Sequence, residues 1–257
     1  MQRSQIAAQL YTVRNHLKTP GDIAASLKKV RAIGYEAVQV SGMGPIDEAD
    51  LVAICADLGL TICATHEPSF TVLDEPQAVV DRLAKLNCRF TAYPYPRDID
   101  FSDMASVDEL VRKLDAAGKV LADAGQVLTY HNHAHEFYRL PSGKTLLEYI
   151  YDNTDPKHLQ VELDLHWVQR GGGNPETWIR RYAGRQPLIH LKDFKVDPTG
   201  APDFAEIGNG NLEWDRILPA ATEAGVEWFI VEQDTTPGDP FVSLEQSFQY
   251  LAARCSS

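Results

Sequence analysis

The sequence predicts an α/β protein, a single-domain (β/α)8 TIM barrel spanning residues 1–257, and two observations carry that expectation. Short apolar, β-branched runs alternate with longer segments of helical period from one end of the chain to the other. Glycines recur just before these runs, in Ile33-Gly34-Tyr35, Leu58-Gly59-Leu60, Ala124-Gly125-Gln126 and Ala224-Gly225-Val226, where a left-handed residue ends a helix ahead of the next strand. A length of 257 residues suits one alternating barrel.

In chain order the expected strands are Ile6 to Tyr11, Ala37 to Val40, Thr61 to Thr65, Arg89 to Tyr93, Val127 to Asn132, Leu159 to Asp164, Leu188 to Lys192 and Trp228 to Glu232. The clearest helix runs from about Met104 to Ala124, because Val107, Leu110, Val111, Leu114 and Leu121 share one face. Ile23, Leu27, Val30 and Ile33 mark another. Strands alternating with helices pair in parallel through right-handed crossovers, as an open doubly wound sheet or a closed barrel. The first strand leads into Thr12-Val13-Arg14-Asn15 rather than a G-x-G-x-x-G turn, which argues against a doubly wound nucleotide-binding sheet. Gly171-Gly172-Gly173 and Gly208-Asn209-Gly210 read as flexible loops on the active face. Asp193 to Asn211 reads as one long loop after the seventh strand.

Hydrophobic residues make up 44% of the chain and charged ones 23%, enough apolar material for a real core. Acidic side chains number 36 against 24 basic, and the formal charge of -12 with no basic stripe argues against a nucleic-acid partner. No apolar run approaches the roughly 18 residues of a membrane span. The opening MQRSQIAAQLYTVR lacks the apolar stretch of a signal peptide, so a cytoplasmic location without a membrane partner is expected. Cys55, Cys63, Cys88 and Cys255 are widely spaced and read as buried or incidental thiols, not a disulfide framework or zinc site. A homo-oligomer is compatible with this composition.

Barrels of this kind do their chemistry at the C-terminal ends of the strands. There the sequence is heavily polar: Tyr130-His131-Asn132-His133-Ala134-His135-Glu136, Glu162-Leu163-Asp164-Leu165-His166, His190-Leu191-Lys192-Asp193, Glu232-Gln233-Asp234, and His66-Glu67 after strand three. Glu136, Asp164, His190 and Glu232 come from four successive strands, and neighbouring strands lie about 4.8 Å apart, so these side chains can reach one point above the barrel mouth. Three carboxylates converging without a cation would repel one another. A divalent ion, Mn²⁺, Mg²⁺, Co²⁺ or Zn²⁺, relieves this. The plainer alternative is that Asp164 and Glu232 cap loops or pair with Lys192 and Arg170.

Gln9-Leu10-Tyr11, Tyr130-His131-Asn132-His133 with Glu136-Phe137, Glu162-Leu163-Asp164, His190-Leu191-Lys192-Asp193 and Val231-Glu232-Gln233-Asp234 together resemble the sugar phosphate isomerase/epimerase family of the xylose isomerase-like TIM barrel superfamily. The resemblance covers essentially the whole chain. It implies one divalent metal held by Glu, Asp, His and Glu from strands five to eight, with the two glutamates also acting as acid and base. Asp164, His190 and Glu232 match those positions. Relatives place the first glutamate within strand five, where this chain has Thr129 to His133. Either Glu136 bends back to the metal or His131 replaces it, and Glu136 is the expected ligand and base. Many relatives carry a histidine three positions after the aspartate, where this chain has Trp167, with His166 one place earlier. Tyr11, His66, His131, His133, His166 and Lys192 are the expected substrate-binding residues.

What the resemblance implies is a metal-dependent isomerase or epimerase acting on a keto-sugar, ketose or cyclitol, a small-molecule carbohydrate. A proton leaves the carbon beside a chelated carbonyl, giving an enediolate. The alternative is a dehydratase or lyase that expels a leaving group from the same enediolate, and a further one is a non-catalytic sugar-binding barrel. The endonuclease branch of the superfamily needs more metal ligands and a basic face. An acidic site favours a neutral sugar over a phosphate, which would call on Arg14, Arg139, Arg170 or Lys195.

Overall fold

The computed structural model describes residues 1–255; residues 256–257, the end of the expected domain, lie outside the described residues. Strands β1 (Ile6–Gln9), β2 (Ala37–Val40), β3 (Thr61–His66), β4 (Phe90–Tyr93), β5 (Val127–His131), β6 (Leu159–Asp164), β7 (Leu188–Leu191) and β10 (Trp228–Val231) close into a barrel in the order β1-β10-β7-β6-β5-β4-β3-β2. Every pairing in it is parallel, and β1 meets both β2 and β10. The expected (β/α)8 architecture is therefore the one observed.

Helices cover the outside, among them α1 (Pro20–Ile33), α5 (Met104–Asp123) and α7 (Leu165–Arg170). Thr19 starts α1 by accepting from the Asp22 N–H at 3.2 Å while Asp22 reaches back to the Thr19 N–H at 3.0 Å. Gly34 ends it at φ 124°, where a Cβ would also come within 2.5 Å of the Phe248 ring.

Side chains alternate across each strand, and the two faces carry different chemistry. Outward residues such as Ile6, Ala8, Val38, Leu128, Tyr130, Val161 and Leu163 pack under the helices in the main apolar core. Inside the barrel, Ala7, Ala37, Ala64, Phe90, Leu188 and Ile230 form a separate buried plug. One inward step nearer the C-terminal ends, the lumen turns polar, with Gln9, Gln39, Thr129, Glu162 and His190 all buried.

Three expectations need correction. The first strand stops at Gln9, not Tyr11, because the Gln9 side chain accepts from the Tyr11 N–H at 3.2 Å and turns the chain into a 3-10 segment, Leu10–His16. The stretch read as a long loop holds an antiparallel hairpin, β8 (Asp193–Val196) with β9 (Pro202–Ala205), lying outside the barrel. Neither glycine cluster is a loose loop. The buried Asp193 carboxylate accepts from the N–H groups of Phe194, Gly208, Gly210 and Leu212 at 2.8, 2.9, 3.1 and 3.3 Å, and from Trp214 Nε1 at 2.7 Å. Gly171 lies so close to Phe137 that a Cβ would come within 2.5 Å of its ring.

Among the described residues, no helix is long and apolar enough to cross a membrane. The four cysteines are free, and Cys55, Cys63 and Cys88 are buried.

Candidate active site

Consecutive inward positions on neighbouring strands build the site. On β6, Glu162 and Asp164 are two residues apart and share the inward face. On β7, His190 sits level with Asp164 and also with Ile230 of β10. Lys192 and Glu232 follow β7 and β10 by one inward step. Asp164 also starts α7: its Oδ1 accepts from the Trp167 N–H at 3.1 Å, and its own N–H donates to Asn132 Oδ1 at 3.0 Å. This fixes the carboxylate and leaves Oδ2 facing the lumen.

His190 is the centre of the cluster. Its Nε2 lies 2.5 Å from Glu162 Oε1 and 2.7 Å from Gln39 Oε1, and its Nδ1 lies 2.9 Å from Glu232 Oε2. Burial alone would lower its pKa, but Glu162 and Glu232 outweigh burial and push it up to about 10. The ammonium of Lys192, itself buried, bridges Asp164 Oδ2, Glu232 Oε2 and Asp234 Oδ2 at 2.9, 2.7 and 3.1 Å. Those carboxylates overcome the cost of burial and hold the lysine charged. Burial would raise Glu162 and Glu232, yet the neighbouring cations keep both well below the ordinary range. For Asp164 burial wins over Lys192, pushing it up to about 6.

Glu162 gathers further partners: His66 Nε2 at 2.8 Å, Thr129 Oγ1 donating at 3.1 Å, and Gln39 Nε2 donating at 3.2 and 3.3 Å to its two oxygens. Gln39 is oriented in turn by Gln9 Nε2, which donates to its Oε1 at 2.8 Å. His131, the last residue of β5, lies 3.5 Å from Glu162 and 3.9 Å from Asp164. Burial and the neighbouring His190 lower it to about 3, so it is a neutral imidazole.

Of the four residues expected to converge, three do: Asp164, His190 and Glu232 come together with His131, each offering an atom within 4.8 Å of the others. Glu136 lies elsewhere. It sits on a 3-10 turn, His135–Phe137, where its Oε1 accepts from the Tyr130 hydroxyl at 3.0 Å and its Oε2 from the His133 N–H at 2.8 Å. Tyr130 faces out of the barrel, so Glu136 is drawn behind β5, away from the lumen. Burial pushes its pKa up to about 7. The plainer expectation also holds in part, since Asp164 caps α7 and pairs with Lys192, whereas Arg170 lies over the Trp167 ring instead.

The residues of the His131 set fit a divalent cation. His131 Nδ1 is buried without a hydrogen-bond partner, and two imidazoles with two carboxylates form a donor set that first-row divalent ions accept. Lys192 already shows that Asp164 and Glu232 gather around positive charge.

A cavity of about 620 Å³ opens over the cluster, lined by His66, His131, His133, Lys192, Glu232 and Asp234, and at its outer edge by Tyr11 and Tyr95. Of the residues expected to bind substrate, Tyr11, His66, His131, His133 and Lys192 line this cavity. His166 does not: it is buried, its Nδ1 lies 3.0 Å from the Asp193 carbonyl, and its ring stacks on Phe204 of β9 at 4.2 Å. Of the cations considered for a phosphate, Arg14 and Arg139 donate to backbone carbonyls and Lys195 pairs with Asp203 at 3.3 Å. Sequence reasoning missed Glu162, Gln9 and Gln39 as members of the site. The available signal was the two-residue period, which places Glu162 with Asp164 and leaves single amides on the inward face of otherwise apolar strands.

A closed parallel barrel with carboxylates, imidazoles and a lysine converging where its strands end has the layout of a TIM-barrel enzyme. The family described as xylose isomerase-like TIM barrel matches residues 27–254, and the chain belongs to it. A sugar phosphate isomerase/epimerase from Parabacteroides distasonis superposes with a TM-score of 0.83 at 22% identity, covering 98% of this chain and 95% of that one. A xylose isomerase-like TIM barrel protein from Mycobacterium smegmatis in complex with magnesium gives 0.76 at 16% identity, with both chains covered completely at 100%. At these identities the likeness is one of fold. Among curated proteins, an inosose dehydratase of Bacillus cereus is 23% identical over 163 residues, 57% of this chain and 52% of that protein. The match thus spans about half the length of the curated relatives. An L-ribulose 3-epimerase also superposes, with a TM-score of 0.75 at 13% identity, covering 97% of this chain and 94% of that one.

Proposed function

We propose that this barrel is a carbohydrate isomerase or epimerase that moves a proton at the carbon beside the carbonyl of a keto-sugar, ketose or cyclitol, with one divalent ion (Mn²⁺, Mg²⁺, Co²⁺ or Zn²⁺) bound at its charged cluster. The observation that carries this reading is the buried convergence of His131, Asp164, His190 and Glu232 beneath an open cavity. Those four residues would hold the ion. When bound, it would polarise the substrate carbonyl and stabilise negative charge on the adjacent oxygens.

Glu232 is the proposed base, because it borders the cavity and its low pKa keeps it ionised. Lys192, at 2.7 Å from Glu232 and bordering the same cavity, is placed to donate a hydrogen bond to a substrate oxygen as charge develops there. Glu162 orients His190 from below, and His66 and His133 face the substrate from the β3 and β5 ends. Apolar layers beneath exclude water from the lower side of the cluster. A second reading, dehydration of a keto-sugar or inosose by the same proton abstraction, is favoured by the inosose dehydratases among the curated relatives. Asp234, 3.1 Å from Lys192 and open to the cavity, would then help protonate the departing hydroxyl.

The test is turnover of a panel of ketoses, 3-keto-sugars and inososes in D₂O by the protein loaded with each metal, followed by NMR. Deuterium at the carbon next to the carbonyl is the expected result, with the product distinguishing isomerisation, epimerisation and dehydration. An active substrate that carries no deuterium there and shows no isotope effect would refute proton transfer. Absence of any turnover would favour a sugar-binding barrel.

A further inference from the structure

The cavity has two unlike halves. The ends of β5, β7 and β10 supply the ionised one, with His131, His133, Lys192, Glu232 and Asp234. The ends of β1 to β4 supply the other, with Tyr11, Gly42, Pro68, Pro94, Tyr95 and Arg97. Glu67, the carboxylate among the residues lining that half, is turned to the Arg82 guanidinium. Beside His66, which the proposed chemistry already uses, that half therefore offers rings, small residues and the Arg97 guanidinium, and its one carboxylate is already paired.

Tyr11 is held in place there. Gly42, at φ 65°, lies so close beneath its ring that a Cβ would come within 2.7 Å of Tyr11 Cδ2. The Arg14 guanidinium sits 4.2 Å from the ring centroid and donates to the carbonyls of Tyr11 and Asp234, each at 2.9 Å. Tyr95 packs edge-on against His133 and His135, with ring centroids 5.1 and 5.6 Å apart. Despite this fixing, Tyr11 remains 38% and Tyr95 50% exposed. Large aromatic side chains held open at a cavity mouth mark a recognition surface, and tyrosine pairs an apolar face with a polar tip. The volume of about 620 Å³ lies well inside the range of roughly 300–1,000 Å³ that buries drug-sized ligands, more than one sugar ring needs.

We propose that the β1–β4 half of the cavity is a subsite for a second ring, so that the substrate is a glycoside, a reacting sugar ring that carries a further sugar or an aromatic group, rather than a free monosaccharide. This rests on the reading that the charged cluster works on one sugar ring. The second ring lies between Tyr11 and Tyr95.

Ligand-observed NMR titrations of the full chain test it, with D-glucose and D-galactose set against their phenyl α- and β-glycosides and against cellobiose, maltose and lactose. At least one glycoside binds about tenfold more tightly than its parent sugar, the gain one or two aromatic contacts supply. Tyr95→Ala brings that ratio close to one, and Tyr95→Phe keeps it. Preference for phenyl glycosides identifies an aromatic group, and preference for disaccharides a second sugar. The proposal is overturned if no glycoside outbinds its parent sugar, if Tyr95→Ala leaves the ratio intact, or if glucose 6-phosphate outcompetes every glycoside. Failure here leaves deuterium uptake by free keto-sugars untouched. Failure of that uptake with the glycoside preference intact removes only the assigned chemistry.

Discussion

Replacing Glu136 by glutamine removes a buried carboxyl group whose neighbours are neutral: the Tyr130 hydroxyl, the His133 N–H, and the His135 ring at 3.5 Å, itself lowered by burial. Burial pushes Glu136 from its ordinary 4.5 up to about 7. A carboxyl group raised in this way binds its proton more tightly in the folded than in the unfolded chain. Its contribution is fully present below about pH 4.5 and is lost as pH rises through about 7. That gap corresponds to roughly 3 kcal/mol. Glutamine cannot ionise, so the variant lacks this part of the pH dependence. It also turns an amide N–H₂ toward one of the two donors, which costs about 1 kcal/mol at every pH. Urea unfolding at pH 5 and pH 8 separates the two effects: between these pH values the native protein loses about 2 to 3 kcal/mol more than the Glu136→Gln variant. Parallel pH profiles would show that the carboxyl group titrates normally and would refute the reasoning. Metal content supplies a second readout. Because Glu136 lies behind β5, the variant keeps its metal, and loss of metal would return Glu136 to the ligand set.

Asp164→Asn and His131→Ala lower divalent-metal occupancy measured by elemental analysis at least tenfold, because each removes one donor of the proposed set; full occupancy in both sinks that assignment. Glu162→Gln removes the nearest of the carboxylates around His190 and destabilises the fold by roughly 3–5 kcal/mol in denaturant unfolding, the cost of breaking a buried ion pair. A change within about 0.5 kcal/mol would mean that Glu162 is not held as described. Asp193→Ala strips the acceptor from five donors, costs about 3 kcal/mol or more, and exposes the segment between Lys195 and Asn211 to limited proteolysis. An unchanged digestion pattern would argue against Asp193 as the anchor.

The barrel strands were legible because each is a short apolar run with helical segments on both sides. Ala37–Val40 and Leu159–Asp164 coincide with the expected bounds, while other strands differ by a residue or two at an end where polar side chains turn into loops. The β8–β9 hairpin was not legible. Its strands are four residues each, one begins at Pro202, and neither shows a sustained apolar alternation. The Asp193 anchor shows why its glycines are there: at Gly210 a Cβ would come within 2.3 Å of the Asp193 carboxylate. Such a contact between residues far apart in the chain leaves no periodic trace in the sequence.

The difference between Asp164 and Glu136 shows which part of the site local pattern can place. Asp164, His190 and Glu232 lie in or immediately after strands, so alternation dictates which way they face. Glu136 lies five residues past the end of β5, and over that distance loop geometry decides. The same alternation accounts for the vertical order of the lumen. An apolar plug around Phe90 closes its lower end. Above it, Gln9 and Gln39 orient Glu162, and Glu162 holds His190. Above that, Lys192 and Glu232 meet the cavity, with Asp164 held against Lys192. Charge buried this deeply persists only where each group is paired, and removing one partner leaves the others uncompensated. The lower layers are therefore part of the chemistry of the upper one, since the Gln39 and Glu162 side chains determine where the His190 ring stands when substrate arrives.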